Sequence, residues 1–118
     1  MDLNAATQAH SEWKVKLRVA ITRKERLDAV TIGKDNCCAL GQWLHGEGKQ
    51  QFAKYKTFGD CLTRHATFHR EAGAVAQTIN SGDYAKANAM LEGGTPFAAA
   101  SSSVVAAISA LKKELAPA

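Results

Sequence analysis

Residues 52–80 read FAKYKTFGDCLTRHATFHREAGAVAQTIN. Within this stretch Tyr55, Phe58, Cys61 or Leu62, His65, Phe68 or His69, Ala72, Val75 or Ala76 and Ile79 recur at intervals of three and four. Such intervals make the apolar stripe of an amphipathic helix, so the spacing predicts one long helix from about 52 to 80. No segment of the chain keeps a strict apolar-polar alternation, so no sheet is expected. His65 and His69 stand four residues apart on or beside this stripe. Their rings therefore leave one face of the helix about one turn apart, the spacing that two ligands on one metal need.

The same period extends outward in both directions. Upstream, Leu3, Ala6, His10, Trp13, Leu17, Ala20 or Ile21, and Leu27 form a second stripe, which predicts a helix over 3–28. His10 occupies a place where the pattern wants an apolar residue. Between the two stripes, TIGKDN (31–36) carries turn residues and reads as a loop. CALGQWL (38–44) can form one or two turns of helix with Asp35 or Asn36 near its N-cap. HGEGKQ (45–50) then breaks it, because its two glycines disfavour helix. Downstream, Ser81–Gly82 supplies a stop and Asp83 a fresh cap for a helix over 83–92 with Tyr84, Ala87 and Leu91 inward. Gly93–Gly94 interrupts, and Thr95–Pro96 places a cap and then a proline at the first helical position. The last helix should bury Phe97, Ser101, Val104, Ile108, Leu111 and Leu115. The fold expected is all-α: a four-helix bundle with a short helix inserted after the first long one.

The chain has 118 residues, 46% of them apolar, which suits one domain over 1–118 with an ordinary core. Its formal net charge is +4, and most of the excess lies between Lys14 and Arg26. No aromatic platform interleaves these cations and no nucleic-acid motif is present, so they read as a solvated helix face rather than a nucleic-acid site. No apolar run reaches the roughly 18 residues of a membrane span, and the first residues lack the order of a signal peptide. Three cysteines cannot all pair within one chain, which points to the reducing cytoplasm. The trailing Ala-Pro-Ala reads as the start of a linker or a simple end.

Three histidines on core-facing positions are hard to satisfy separately, since an unpaired polar ring in a core costs on the order of 1–3 kcal/mol. One shared metal satisfies all three. Three imidazoles and a thiolate suit Zn²⁺, which takes four N and S ligands tetrahedrally. A di-iron site needs inward carboxylates, and Glu12 and Glu71 fall off the seams. Copper outcompetes zinc on affinity, but cellular availability favours zinc. Cys37 and Cys38 differ by about 100° around a helix, so only one can face the site. Gly41 lets a neighbour approach closely, and Trp43 should seal the side. Four protein ligands leave no open position, and there is no nucleophile–base pair or phosphate-binding loop, so no reaction is expected. The rival classes are a zinc hydrolase, which requires a metal-bound water, and a metal-free helical interaction module.

Three blocks occur in order: HSEWK (10–14), CALGQW (38–43) and HATFH (65–69). Together they resemble the CZB family, the chemoreceptor zinc-binding domains of bacterial signalling proteins, over about residues 5–112. The resemblance implies that His10, Cys38, His65 and His69 bind zinc, and it selects Cys38 over Cys37. Trp13, Gly41, Trp43 and Phe68 are the implied supporting residues. It leaves His45, in a glycine-flanked loop, and Cys61, one turn before His65, as rival ligands, and Cys37 as a structural or exposed thiol that can pair with Cys38. It further implies a sensor of zinc or of oxidants such as hypochlorous acid, with Cys38 as the redox-sensitive ligand. The implied partners are a second copy in a homodimer and the signalling region of a chemoreceptor or a diguanylate cyclase.

Overall fold

In the computed structural model, Asp2 starts the chain's first helix by accepting the Ala5 N–H on its side chain at 3.0 Å. This helix, α1 (Leu3–Ser11), is followed after one residue by α2 (Trp13–Arg23). Glu12 between them keeps right-handed helical dihedrals, and its N–H still reaches the Gln8 carbonyl. The expected helix over 3–28 is thus interrupted at Glu12 and ends early. Lys24 turns left-handed (φ 55°), its N–H bonding Ile21 O while the Glu25 N–H bonds Ala20 O. This is a Schellman stop built on lysine instead of glycine, so no glycine marks it in the sequence. Leu27 lies past the stop, its N–H and its carbonyl each bound by the Asn80 side chain at 2.8 Å.

The inserted segment holds three short helices where one was expected: α3 (Ala29–Ile32), α4 (Ala39–His45) and α5 (Glu47–Phe52). The Asp28 side chain caps α3, which overlaps the start of what read as loop, by accepting the Thr31 N–H. Gly46 does break α4, but helix resumes at once in α5. α6 (Lys56–Asn80) is the predicted long helix, four residues shorter at its start because Tyr55 is extended. Gly82 follows with φ 86°, and Asp83 caps α7 (Tyr84–Met90) through the Lys86 N–H. Thr95 caps α8 (Pro96–Leu115), whose first residue is the proline.

α6 packs chiefly along α8, with α3 and α7 on its other sides, and α1 lies on α8. One core cluster runs between them, with Leu17, Leu44, Phe68, Val75, Leu91, Val104, Ile108 and Leu111 fully buried. Each such side chain contributes about 1.5–3 kcal/mol of burial. Ser101 and Leu115 are only half-buried, and Ala100 and Ala107 take core places on α8 instead. The basic residues from Lys14 to Arg26 are exposed, Arg18 partly so. Among the described residues, 1–116, there is no strand, and no helix is long and apolar enough to cross a membrane. The reading of the trailing segment rests on residues 117 and 118, which lie outside them.

Candidate metal centre

α6 projects His65 and His69 inward with ring centroids 4.5 Å apart. α1 brings His10 against both, at 5.0 and 5.5 Å. The fourth group, Cys38, comes from the start of α4. One donor atom from each of these four residues lies within 4.8 Å of the others. The Cys38 Sγ stands 3.2 Å from His65 Nε2 and 3.5 Å from His69 Nε2. A tetrahedral zinc site has N–S edges of about 3.6 Å, so these separations suit two ligands of one ion.

Each ring is oriented by its other nitrogen or by packing. His10 Nδ1–H donates to the Ala6 carbonyl one turn back, at 2.7 Å. His69 Nδ1–H donates to the Ile32 carbonyl at 2.9 Å. A carbonyl can only accept, so both protons sit on Nδ1 and both Nε2 atoms are free to ligate. His10 Nε2 is buried and has no hydrogen-bond partner. That orphaned acceptor is what a cation would satisfy. His65 Nδ1 is likewise buried without a partner, and Phe68 packs its edge against His10 and His69.

Glycines bring the backbone supports into reach. A Cβ on Gly73 would lie 2.7 Å from the Gly33 Cα, so α3 and α6 touch backbone to backbone just beside Ile32. This contact lets the Ile32 carbonyl meet His69 one turn back along α6. A Cβ on Gly41 would lie 1.8 Å from the Asp35 carbonyl oxygen. The close neighbour of Gly41 is therefore the 35–36 backbone, not another helix. Cys38 itself is the N-cap of α4, where Asp35 or Asn36 was expected, and its Sγ accepts the Gly41 N–H at 3.3 Å.

The electrostatics suit a cation. Burial, with the nearby His69 and His10, pushes His65 down to about 3. Burial also lowers His10 and His69, each partly offset by its carbonyl partner. All three rings are therefore neutral near pH 7, as ligands must be. Burial raises the Cys38 thiol, and the Gly41 N–H opposes this. A bound cation would favour its thiolate strongly. His10, His65 and His69 are 0–3% exposed, whereas Cys38 is half-buried. The group contains no carboxylate, so its chemistry is that of a nitrogen-and-sulfur site.

The rival residues lie elsewhere. His45 is exposed and pairs with Asp35 at 2.8 Å, outside the group. Cys61 is buried in the core, where burial pushes its thiol to about 11. Cys37 is exposed, and all three cysteines are free thiols. Of the supporting residues, Phe68 and Gly41 flank the group as described. Trp13 packs against the core with the Lys16 Nζ over its ring. The Trp43 ring packs on Phe52 and Phe58 and covers Gly48. It anchors α4 to α5 and α6. Sequence reasoning missed the two carbonyl acceptors, Ala6 and Ile32, which no side chain advertises. Gly33 and Gly73 were the available signal for the second.

The sequence profile of the chemoreceptor zinc-binding domain family (CZB) matches residues 10–76, more than half of the chain. The match begins at His10, contains Cys38, His65 and His69, and stops before α7, a narrower span than the resemblance read from the sequence. Comparison with curated proteins and with solved structures gave no match.

Proposed function

Because the chain belongs to the chemoreceptor zinc-binding domain family, we propose that it is a sensory module that holds one Zn²⁺ through His10, Cys38, His65 and His69 and passes the state of that site to a signalling output. The observation that carries this reading is the convergence of four N and S donors from α1, α4 and α6 around a buried, partnerless His10 Nε2. When bound, zinc supplies a crosslink between these three elements and holds the sulfur as thiolate.

The residues of this chain do the rest. His65 and His69, on one long helix, form the fixed side of the site. His10 ties α1 to it, with its tautomer set by Ala6. Cys38 is the movable side, joined to the bundle through a short helix and its Gly41 cap. Four protein donors fill a tetrahedron, which favours binding and regulation over reaction. Loss of zinc, or oxidation of the half-buried Cys38 sulfur, frees the start of α4. Trp43, at the other end of α4, carries that movement to Phe52 and Phe58.

The family supports a chemoreceptor signalling region or a diguanylate cyclase as the output, in cis or in trans. Residues 1–118 act as one domain, in a reducing compartment such as the cytoplasm. A homodimer is supported by Val15 and Val19, one turn apart on α2 and 64% and 40% exposed. Metal analysis of the purified chain tests the reading: one zinc per chain is expected. Cys38→Ala should lower zinc affinity at least tenfold, and unchanged stoichiometry and affinity would remove Cys38 from the site.

A further inference from the structure

A cleft of about 400 Å³ lies between α1 and the start of α4. Ala5, Ala6, Ala9, Ala39 and Leu40 wall it, and its lining takes in two of the four proposed ligands, His10 and Cys38. We propose that this cleft is the entrance through which small uncharged electrophiles reach the Cys38 sulfur, and that its alanine walls select them by size and charge. The proposal rests on the zinc reading only for its consequence, that modification of the sulfur releases the ion.

Three observations converge on it. Cys38 is the one member of the group that is not buried, whereas His10, His65 and His69 are. Apart from Met1 and Asp2 at its edge and the two ligands, the walls are alanine methyl groups and one leucine, which offer a charged reagent little in exchange for its water. Asp2, the ionised side chain of the lining, has its Oδ1 engaged with the Ala5 N–H. Ala5 and Ala9 lie one turn apart on α1 and are both exposed, so a larger side chain at either would project into the opening.

The chemistry is substitution at the reagent. With hydrogen peroxide, the thiolate sulfur attacks one oxygen, the O–O bond breaks, the sulfur keeps an OH group and hydroxide leaves. Sulfur is oxidised to sulfenic acid and the peroxide is reduced. With iodoacetamide, the sulfur attacks the methylene carbon, the C–I bond breaks and iodide leaves, with no redox change.

Iodoacetamide and iodoacetate make the test, because they share one electrophilic carbon and differ in charge. The zinc-reconstituted chain is treated with each, and early alkylation of Cys38 and of its exposed neighbour Cys37 is read by tandem mass spectrometry. The amide-to-acetate rate ratio should be about tenfold higher at Cys38 than at Cys37. Ala9→Phe should slow alkylation of Cys38 by iodoacetamide about fivefold or more while leaving Cys37 unchanged, since added bulk fills an occupied path. Ala5→Phe serves the same purpose if the first variant does not fold. Equal ratios at the two thiols, or an unchanged Cys38 rate in the folded phenylalanine variant, overturn the proposal. Zinc content is measured on the same sample. A chain without zinc overturns the zinc reading while the alkylation rates still judge the cleft, and bound zinc with unaltered rates overturns the cleft alone.

Discussion

α6 and α4 deliver donors to the same point by different means. α6 has 25 residues and a face buried from Phe58 to Ile79, so His65 and His69 sit in the middle of a helix held by its own ladder and by α8. α4 has seven residues, and Cys38 is its N-cap. Helices shorter than about 12–15 residues are marginal alone, so α4 exists by virtue of its contacts. Those contacts are Leu40 and Leu44 in the core, the Trp43 ring on Phe52 and Phe58, and the Asp35 backbone against Gly41. The difference teaches where the free energy of a bound ion would go. The α6 side is organised without it, and the 29–52 segment is where ordering remains to be gained.

Removing the metal is the strongest way to break this comparison. Free zinc at about a thousand times its Kd stabilises by about 4 kcal/mol. Chelation should therefore lower the melting temperature by roughly 12–20 °C for a chain of this size. Hydrogen exchange should rise first in residues 29–52 and least in the buried face of α6. An equal rise in both regions would sink the distinction.

Gly41→Ala comes next. Its methyl would run into the Asp35 oxygen, so we expect a loss of about 3 kcal/mol in thermal melts. Zinc affinity should fall about tenfold or more in competition titrations, because the Cys38 support moves. A smaller pair of effects sharpens the contrast within α6 itself. Gly73→Ala should destabilise by about 1–2 kcal/mol, because its Cβ meets the Gly33 backbone. It should also weaken zinc binding by pushing the Ile32 carbonyl from His69. Gly59→Ala, which meets nothing within 4 Å, should stabilise by about 0.5–1 kcal/mol and leave zinc binding alone. The same sign for both would show that the Gly33–Gly73 contact is not tight. Smallest of all, Lys24→Gly should relieve the left-handed turn after α2 and stabilise by about 0.5 kcal/mol in denaturant titrations.

What could be read from the sequence divides along the same line. The stripes of α6 and α8 are long, so many positions repeat the message, and Asp83, Thr95 and Pro96 sit where capping chemistry wants them. The convergence of the four donors was equally legible, because His10, His65 and His69 occupy core positions and a family pattern links them to Cys38. The insert was not. α3 and α5 are too short to show a period, and Gly46 marks a break without showing that helix resumes. A sulfur acting as an N-cap has no propensity signature, since that role belongs to Ser, Thr, Asp and Asn. The partners of Trp43, Phe52 and Phe58, were not legible either, because its ring reaches them across Gly48, where a Cβ would meet it. The stop at Lys24 uses a backbone conformation that lysine seldom adopts, and sequence statistics point away from it.

The backbone contact between Gly33 and Gly73 has a consequence for tuning. Gly73 cannot become smaller, and a side chain there would meet the Gly33 Cα, so every substitution at Gly73 acts in one direction, opening the gap and loosening the grip on His69. A single methyl group at a position that never touches the ion would raise the concentration at which the module fills, shifting a detection threshold while leaving the set of donors intact.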